Sequence, residues 1–327
     1  MDFMSLGDET VVKIKQNSGD LVVDDLTSGI DGTNIPFRRP RVCPFAARNR
    51  RFTDSDVLSS SRKWIPVACS CLLHISGLDG LFLTRRPWHM RSYPGVWVPP
   101  GGHCESGEPI QDTAFRELTE ELGLHSLSEN GRDIGSECSI EPLCAWEAAY
   151  PSRSDTVVGK QAVIPNSHHM VIYYSINWSS LSRPVSSLND IHLHLPRFNL
   201  EVDEVSAVVW LPRSVLVKLS SDWEAFEKYF QNQSTTSASG YTYPELSTMP
   251  STVQIDVDQT PVWYWSINST EWQWIPVNQL ICGLTSNRNP SINPELITQS
   301  EMKRQPSAVT LGTLYAISRW LASTTTG

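Results

Sequence analysis

The sequence predicts an α+β fold, a mixed sheet sandwiched with helices, and three observations carry that prediction. Four apolar runs, at residues 67–75, 81–86, 170–176 and 205–211, have the length and composition of buried strands. Residues 109–122 instead repeat their apolar side chains at helical spacing. A second amphipathic stretch, 307–321, reads as a terminal helix. Strands interspersed with helices bury their apolar faces by layering one on the other.

In chain order, Val11–Lys15 and Leu21–Val23 read as strands of a small N-terminal cap. Val67–Ile75 is a buried strand, Ser76–Gly80 a turn, and Leu81–Arg86 its expected hairpin partner. Val96–Val98 is a short strand stopped by Pro99-Pro100-Gly101-Gly102, a turn with no helical tolerance. The helix that follows should run from Pro109, suited to a first helical position, to Leu122, with Gly123 just past its end. After Pro212 a helix is expected through Trp223 to Phe230, then a polar loop or linker at Gln231–Gly240. Trp263, Trp265, Trp272 and Trp274 mark a hairpin. The expected organisation is an extension at 1–60, a catalytic domain at 61–215 and a C-terminal extension at 216–327.

Composition narrows the function. Hydrophobic residues at 40% and charged residues at 19% describe an ordinary globular chain. No run approaches the roughly 20 apolar residues of a membrane span, and the N-terminus lacks a signal-peptide pattern. A cytoplasmic or nucleocytoplasmic location without membrane contact is therefore expected. The seven cysteines, an odd number without framework spacing, read as reduced thiols; Cys69 and Cys71 would share one strand face. A net charge of −9 argues against stable DNA binding by a whole basic face. Locally, Arg38, Arg39, Arg41, Arg48, Arg50 and Arg51 form either a solvated linker or a grip on substrate phosphates.

The chemistry concentrates in residues 102–124. At 100° per residue, with Glu117 as zero, Glu120 falls near roughly −60° and Glu121 near roughly +40°. Phe115, Leu118 and Leu122 lie between roughly 100° and 160°, a separate apolar stripe for docking. One reading is a solvated acidic face, since exposed like charges cost only tenths of a kcal/mol per pair. The other is a Mg²⁺ or Mn²⁺ site, because hard cations bind carboxylate clusters and keep positions open for phosphates.

The full pattern decides between them. Gly102, five residues, Glu108, seven residues, Arg116-Glu117-Leu118, one residue, Glu120-Glu121, one residue and Gly123-Leu124 meets every position of the Nudix box. A chance match in a chain this long is on the order of one in ten million at average residue frequencies. The chain thus resembles the Nudix hydrolases, whose fold is an α/β/α sandwich with a mixed sheet. Cys43–Ala46, Leu83–Arg86, Trp97–His103, Trp146–Pro151, His168-His169 with Val171, Glu204–Ala207 with Trp210-Leu211, Gly312-Thr313 and Trp320-Leu321 resemble the animal Nudix motif-seventeen mRNA-decapping proteins in particular. Residues 1–35 and 213–305 match poorly.

The resemblance implies hydrolysis of a phosphoanhydride, with Mg²⁺ or Mn²⁺, in the 7-methylguanosine cap of RNA, releasing 7-methyl-GDP. The box alone also serves hydrolases of small nucleotides such as dinucleoside polyphosphates, NADH-like molecules or coenzyme A derivatives, and non-catalytic binding modules share the fold. Glu117 and Glu121 are the expected principal metal ligands, with Glu120 a third ligand or the general base. Arg116 should orient a box carboxylate, and Glu108 is an accessory ligand or a helix-dipole acid. Gly102 and Gly123 should be conformational. Glu204, beside Asp203, stands where these enzymes sometimes place a further acid. Arg85, Arg86, His168 and His169 are candidates for phosphate contact, and Trp97, Trp146 and Tyr150 for stacking on a cationic base, with core packing the alternative for each. Oligomeric state is not legible.

Overall fold

The computed structural model describes residues 9–17, 20–24, 31–38, 65–124, 138–150, 167–178, 191–192, 195–221, 223, 236–237, 240–241, 260–281 and 309–324. Arg39, Arg41, Arg48, Arg50, Arg51, Cys43, Cys282 and the side chains of Tyr150 and His168 lie outside the described set.

Two sheets carry the molecule. The first has six strands: β1 (Glu9–Asn17), β2 (Asp20–Asp24), β3 (Thr33–Arg38), β4 (Val67–Ile75), β7 (Cys138–Tyr150) and β8 (Ser167–Trp178). Their order is β2-β1-β3-β7-β8-β4, with β3–β7 and β4–β8 parallel and the other pairs antiparallel, so the sheet is mixed. The second, wholly antiparallel, has the order β13-β12-β9-β5-β6. It comprises β5 (Gly80–Arg85), β6 (Trp97–Val98), β9 (Ala207–Pro212), β12 (Pro261–Ser266) and β13 (Gln273–Pro276). Thr236–Ser237 and Gly240–Tyr241 (β10, β11) pair as a small ribbon at the end of the tract expected to be a loop.

Helix α1 (Ile110–Leu122) buries Ile110, Ala114, Leu118 and Leu122 against the odd-numbered side chains of β4, Cys69 to Ile75. On the opposite face pack α2 (residues 213–221) and α3 (Leu311–Thr324), through Val215, Leu216, Leu219, Leu314, Ile317 and Trp320. Helices on both faces of a mixed sheet make the expected α/β/α sandwich. Glycine brings α3 close: a Cβ at Gly312 would stand 2.7 Å from the Tyr173 hydroxyl and 2.9 Å from Trp146 Cδ1.

Four expectations change. The Ser76–Gly80 turn forms, but β4 and β5 do not pair; the chain crosses from one sheet to the other. Ser76 N–H still donates to Trp178 O, so the turn leaves β4 along β8 before crossing. Both strands are buried on both faces, a pattern that reports depth but not neighbour. Pro109 is the cap, with φ −61 and ψ 138, and the helix starts one residue later. The residues expected as extensions contribute strands to both sheets: β3 pairs with β7, and β12 with β9. The C-terminal helix starts at Leu311 rather than Ser307 and runs on to Thr324. Among the described residues, no helix is long and apolar enough to cross a membrane.

Candidate active site

The site assembles where α1 meets the turn after β6. Gly123 ends α1 in the left-handed region, φ 65 and ψ 32, its N–H donating to Thr119 O. A side chain is disfavoured in that conformation, and a Cβ there would also strike Asn199 at 2.8 Å. At Gly102 the reason is contact: an added Cβ would lie 2.4 Å from Glu117 Oε1. The absence of a side chain lets the loop backbone close over the Glu117 carboxylate.

Carboxylate oxygens of Glu117, Glu121 and Glu204 lie within 4.8 Å of one another. Glu117 and Glu121 are buried and Glu204 is exposed. Burial pushes the Glu121 carboxyl well above its usual range, and the Glu117 charge adds to it; Arg86 and the Gly101 N–H pull the other way. Burial also raises Glu117, opposed by Arg116. Glu121 Oε2 is buried with no hydrogen-bond partner. A buried acceptor without a donor costs roughly 1–3 kcal/mol, more when charged, and a cation removes that cost. Three close carboxylates, one of which also carries an orphaned buried oxygen, suit a divalent ion of the Mg²⁺ or Mn²⁺ class.

Glu120 does not join this group. Its side chain is 51% exposed and accepts from Arg116 Nη1 at 2.8 Å. The wheel put Glu120 and Glu121 on either side of Glu117, but Arg116, one turn earlier, captures Glu120 at the solvent edge. The cluster's third oxygen comes from Glu204, in the turn before β9, where Glu204 N–H donates to Glu201 O at 3.1 Å. Helical periodicity contains no information about that residue; only the strand that follows it, paired to β5, delivers it.

Arg116 is the organiser. Its Nε donates to Glu108 Oε1 at 2.9 Å and its Nη2 to Glu108 Oε2 at 3.1 Å, a fork-to-fork pair. Nη1 reaches Glu117 Oε1 at 2.9 Å, and Nη2 also reaches His103 O at 3.1 Å. Glu108 further accepts from Thr113 Oγ1 and the Glu105 N–H. The Arg116 hydrogen bonds, with Thr113, hold the Glu108 carboxyl down at about 2. Glu108 therefore anchors Arg116 and the start of α1 and stands outside the oxygen cluster.

The other candidates separate by burial. Trp97 is fully buried, its Nε1 donating to Leu280 O at 2.8 Å, and Trp146 packs against Trp223 and Tyr315. Neither ring has a face open to a base, because the C-terminal segment covers both. Arg85 is also buried, bonded to Ser206 Oγ and lying over Trp97. Its neighbour Arg86, just past the end of β5, feels the charge of the cluster: burial pulls its pKa down while Glu121 and Glu204 pull it up. His169 is half-buried, with its ring 5.5 Å from that of His103. Burial, with Arg86 adding to it, lowers the His103 pKa.

The model of the NUDIX domain family matches residues 65–233. The chain is 32% identical over 187 residues to the human "m7GpppN-mRNA hydrolase NUDT17", covering 57% of this chain and 50% of that protein. To the Danio rerio protein of the same name it is 33% identical over 202 residues, covering 60% and 56%. The match spans about half the length of these relatives. Among solved structures, a MutT protein from Methanosarcina mazei Go1 aligns at 15% identity and TM-score 0.32, covering 53% of this chain and 97% of that one.

Proposed function

The chain belongs to the Nudix hydrolase family, and from that premise we propose that it cleaves a phosphoanhydride in the 7-methylguanosine cap of RNA, releasing 7-methyl-GDP. The observation that carries the hydrolytic reading is the close set of Glu117, Glu121 and Glu204 carboxylates, with Glu121 also holding a buried oxygen that has no donor. The relatives named as m7GpppN-mRNA hydrolases favour the cap over a small nucleotide.

Glu117, Glu121 and Glu204 would hold the ion. A divalent cation there supplies Lewis-acid polarisation of phosphate oxygens and a lowered pKa for its water. Arg116, fixed by Glu108 and the His103 carbonyl, keeps the Glu117 carboxylate from rotating away. Arg86, beside Glu121 and Glu204, offers a cation to the charge that develops on the phosphates. Glu120, tied to Arg116 at the rim, steadies that arginine.

The test is product analysis after incubation with Mn²⁺ or Mg²⁺ and cap-labelled RNA, with Glu121→Gln as control. Release of 7-methyl-GDP by the wild type alone is the expected result. An intact cap would refute the RNA reading, and equal activity of Glu121→Gln would refute the ligand assignment.

A further inference from the structure

Glu204 is the exposed member of the carboxylate cluster, and it sits in a turn rather than on a helix or strand. A carboxylate in a turn keeps its place only if the chain on both sides of it is fastened. On the C-terminal side the fastening is sheet pairing. Ser206 N–H donates to Arg85 O at 2.8 Å, and Ala207 pairs with Arg85 of β5 and with Ser266 of β12.

On the N-terminal side, residues 195–205 run across the end of α1. Asn199 N–H donates to Leu122 O at 3.1 Å and Glu201 N–H to Glu121 O at 3.2 Å, so this stretch caps the helix at the residue that carries the orphaned oxygen. Glu201 O in turn accepts from the N–H groups of Glu204 and Val205, at 3.1 and 2.8 Å. Backbone bonds therefore lead from Glu121 through Glu201 to Glu204, and the spacing of the two carboxylates depends on where residue 201 lies.

A side chain from far along the chain holds this stretch down. Trp272, just before β13, donates its indole N–H to Pro196 O at 2.9 Å. Its ring meets Phe198 edge-on with centroids 5.8 Å apart, and Phe198 meets Phe82 of β5 edge-on at 5.6 Å. Trp265 of β12 packs on Trp272 as well, at 5.5 Å. Both Trp272 and Phe198 are buried. The indole suits this place because its ring joins the core while its N–H satisfies a carbonyl. Trp272 belongs to the stretch expected as a C-terminal extension.

We propose that Trp272 is a positioning residue for the metal site: it holds residues 196–201 against the end of α1 and so sets Glu204 beside Glu121. This rests on the assignment of Glu117, Glu121 and Glu204 as metal ligands, and it gives the β12–β13 hairpin a part in their arrangement. Trp272 acts through Glu204 rather than on the ion or the substrate.

Mn²⁺ titration of the full chain by electron paramagnetic resonance, with Tm measured without metal, tests the proposal. The proteins are wild type, Trp272→Phe, Glu204→Gln, the double variant and Leu314→Ala. Phenylalanine keeps a ring beside Phe198 and removes the donor. Trp272→Phe should weaken Mn²⁺ binding about fivefold, the worth of one net hydrogen bond. In the Glu204→Gln background the same substitution should change affinity less than about twofold, because the ligand it positions is already gone. Leu314→Ala, on the opposite face of the sheet, should lower Tm and leave the affinity of the wild type. Unchanged affinity in Trp272→Phe would overturn the proposal, and so would an equal loss with and without Glu204. A Leu314→Ala loss matching that of Trp272→Phe would overturn it too, since affinity would then merely follow stability. Wild-type affinity in Glu204→Gln would instead overturn the ligand assignment, and the Trp272 proposal with it. If Trp272→Phe does not fold, Phe198→Leu, which loosens the same stretch, is read by the same comparison.

Discussion

Helices α1 and α3 cover opposite faces of one six-stranded sheet and treat carboxylates in opposite ways. On the α3 side, both oxygens of Glu9 have donors: Tyr315 Oη at 2.8 Å and Arg319 Nη1 at 3.1 Å. On the α1 side, Glu121 is buried beside Glu117 and Glu204 with one oxygen unpartnered. The first arrangement lowers the energy of the fold by itself, tying the first strand to the last helix. The second raises it, and makes sense only with a ligand that supplies positive charge. Residues that hold the fold together and residues that do chemistry are thereby told apart on one sheet.

The largest effect expected from that contrast is at Glu121. Glu121→Gln should lower kcat/KM on the order of a thousandfold, since a metal ligand set contributes several kcal/mol to the transition state. Its Tm without metal should not fall, because a buried like charge is removed; circular-dichroism melts beside the kinetics check both. A Tm that collapsed with activity would place Glu121 with Glu9 as a structural acid. Next, Leu314→Ala on α3 should cost about 2–5 kcal/mol in urea unfolding, because Leu314 is fully buried, while KM of the surviving folded fraction stays unchanged.

A pH effect belongs to the α3 side as well. His74, against Trp320 and Ser175 Oγ, is lowered by burial to about 4. Its folded pKa lies below its unfolded value near 6.5, so the unfolded chain binds the proton first as pH falls. Stability is full above that unfolded value and should drop by about 2 kcal/mol by pH 5, levelling off below about 4. Unfolding of the wild type and His74→Gln at pH 7.5 and 5 measures it; the variant should lose that part of the slope. The smallest change expected is Tyr315→Phe, about 1 kcal/mol of stability from one hydrogen bond, with no change in kcat.

What the sequence revealed follows the range of the forces involved. The strand at 67–75, the helix ending at Gly123 and the tryptophan hairpin, with Trp263 opposite Trp274, are local patterns and were legible. Strand β3 and most of β7 were not: Pro36 and Pro142 interrupt them, and β7 accommodates its proline at a bulge. Within the site, Glu117 and Glu121 could be placed from helical geometry. Glu204 and Arg86 enter through pairing of β5 with β9, a contact between residues more than a hundred positions apart. For Trp97 and Trp146 stacking and core packing both stayed open, because aromatic content is visible in sequence while the segments that bury them, Leu280 and α3, are remote.

Most direct of all is a Mn²⁺ titration followed by electron paramagnetic resonance, comparing wild type with Glu204→Gln and Glu120→Gln. The clustered oxygens predict that Glu204→Gln weakens Mn²⁺ binding at least tenfold while Glu120→Gln shifts it less than threefold. Equal affinity in Glu204→Gln and wild type, or a greater loss in Glu120→Gln, would contradict the account.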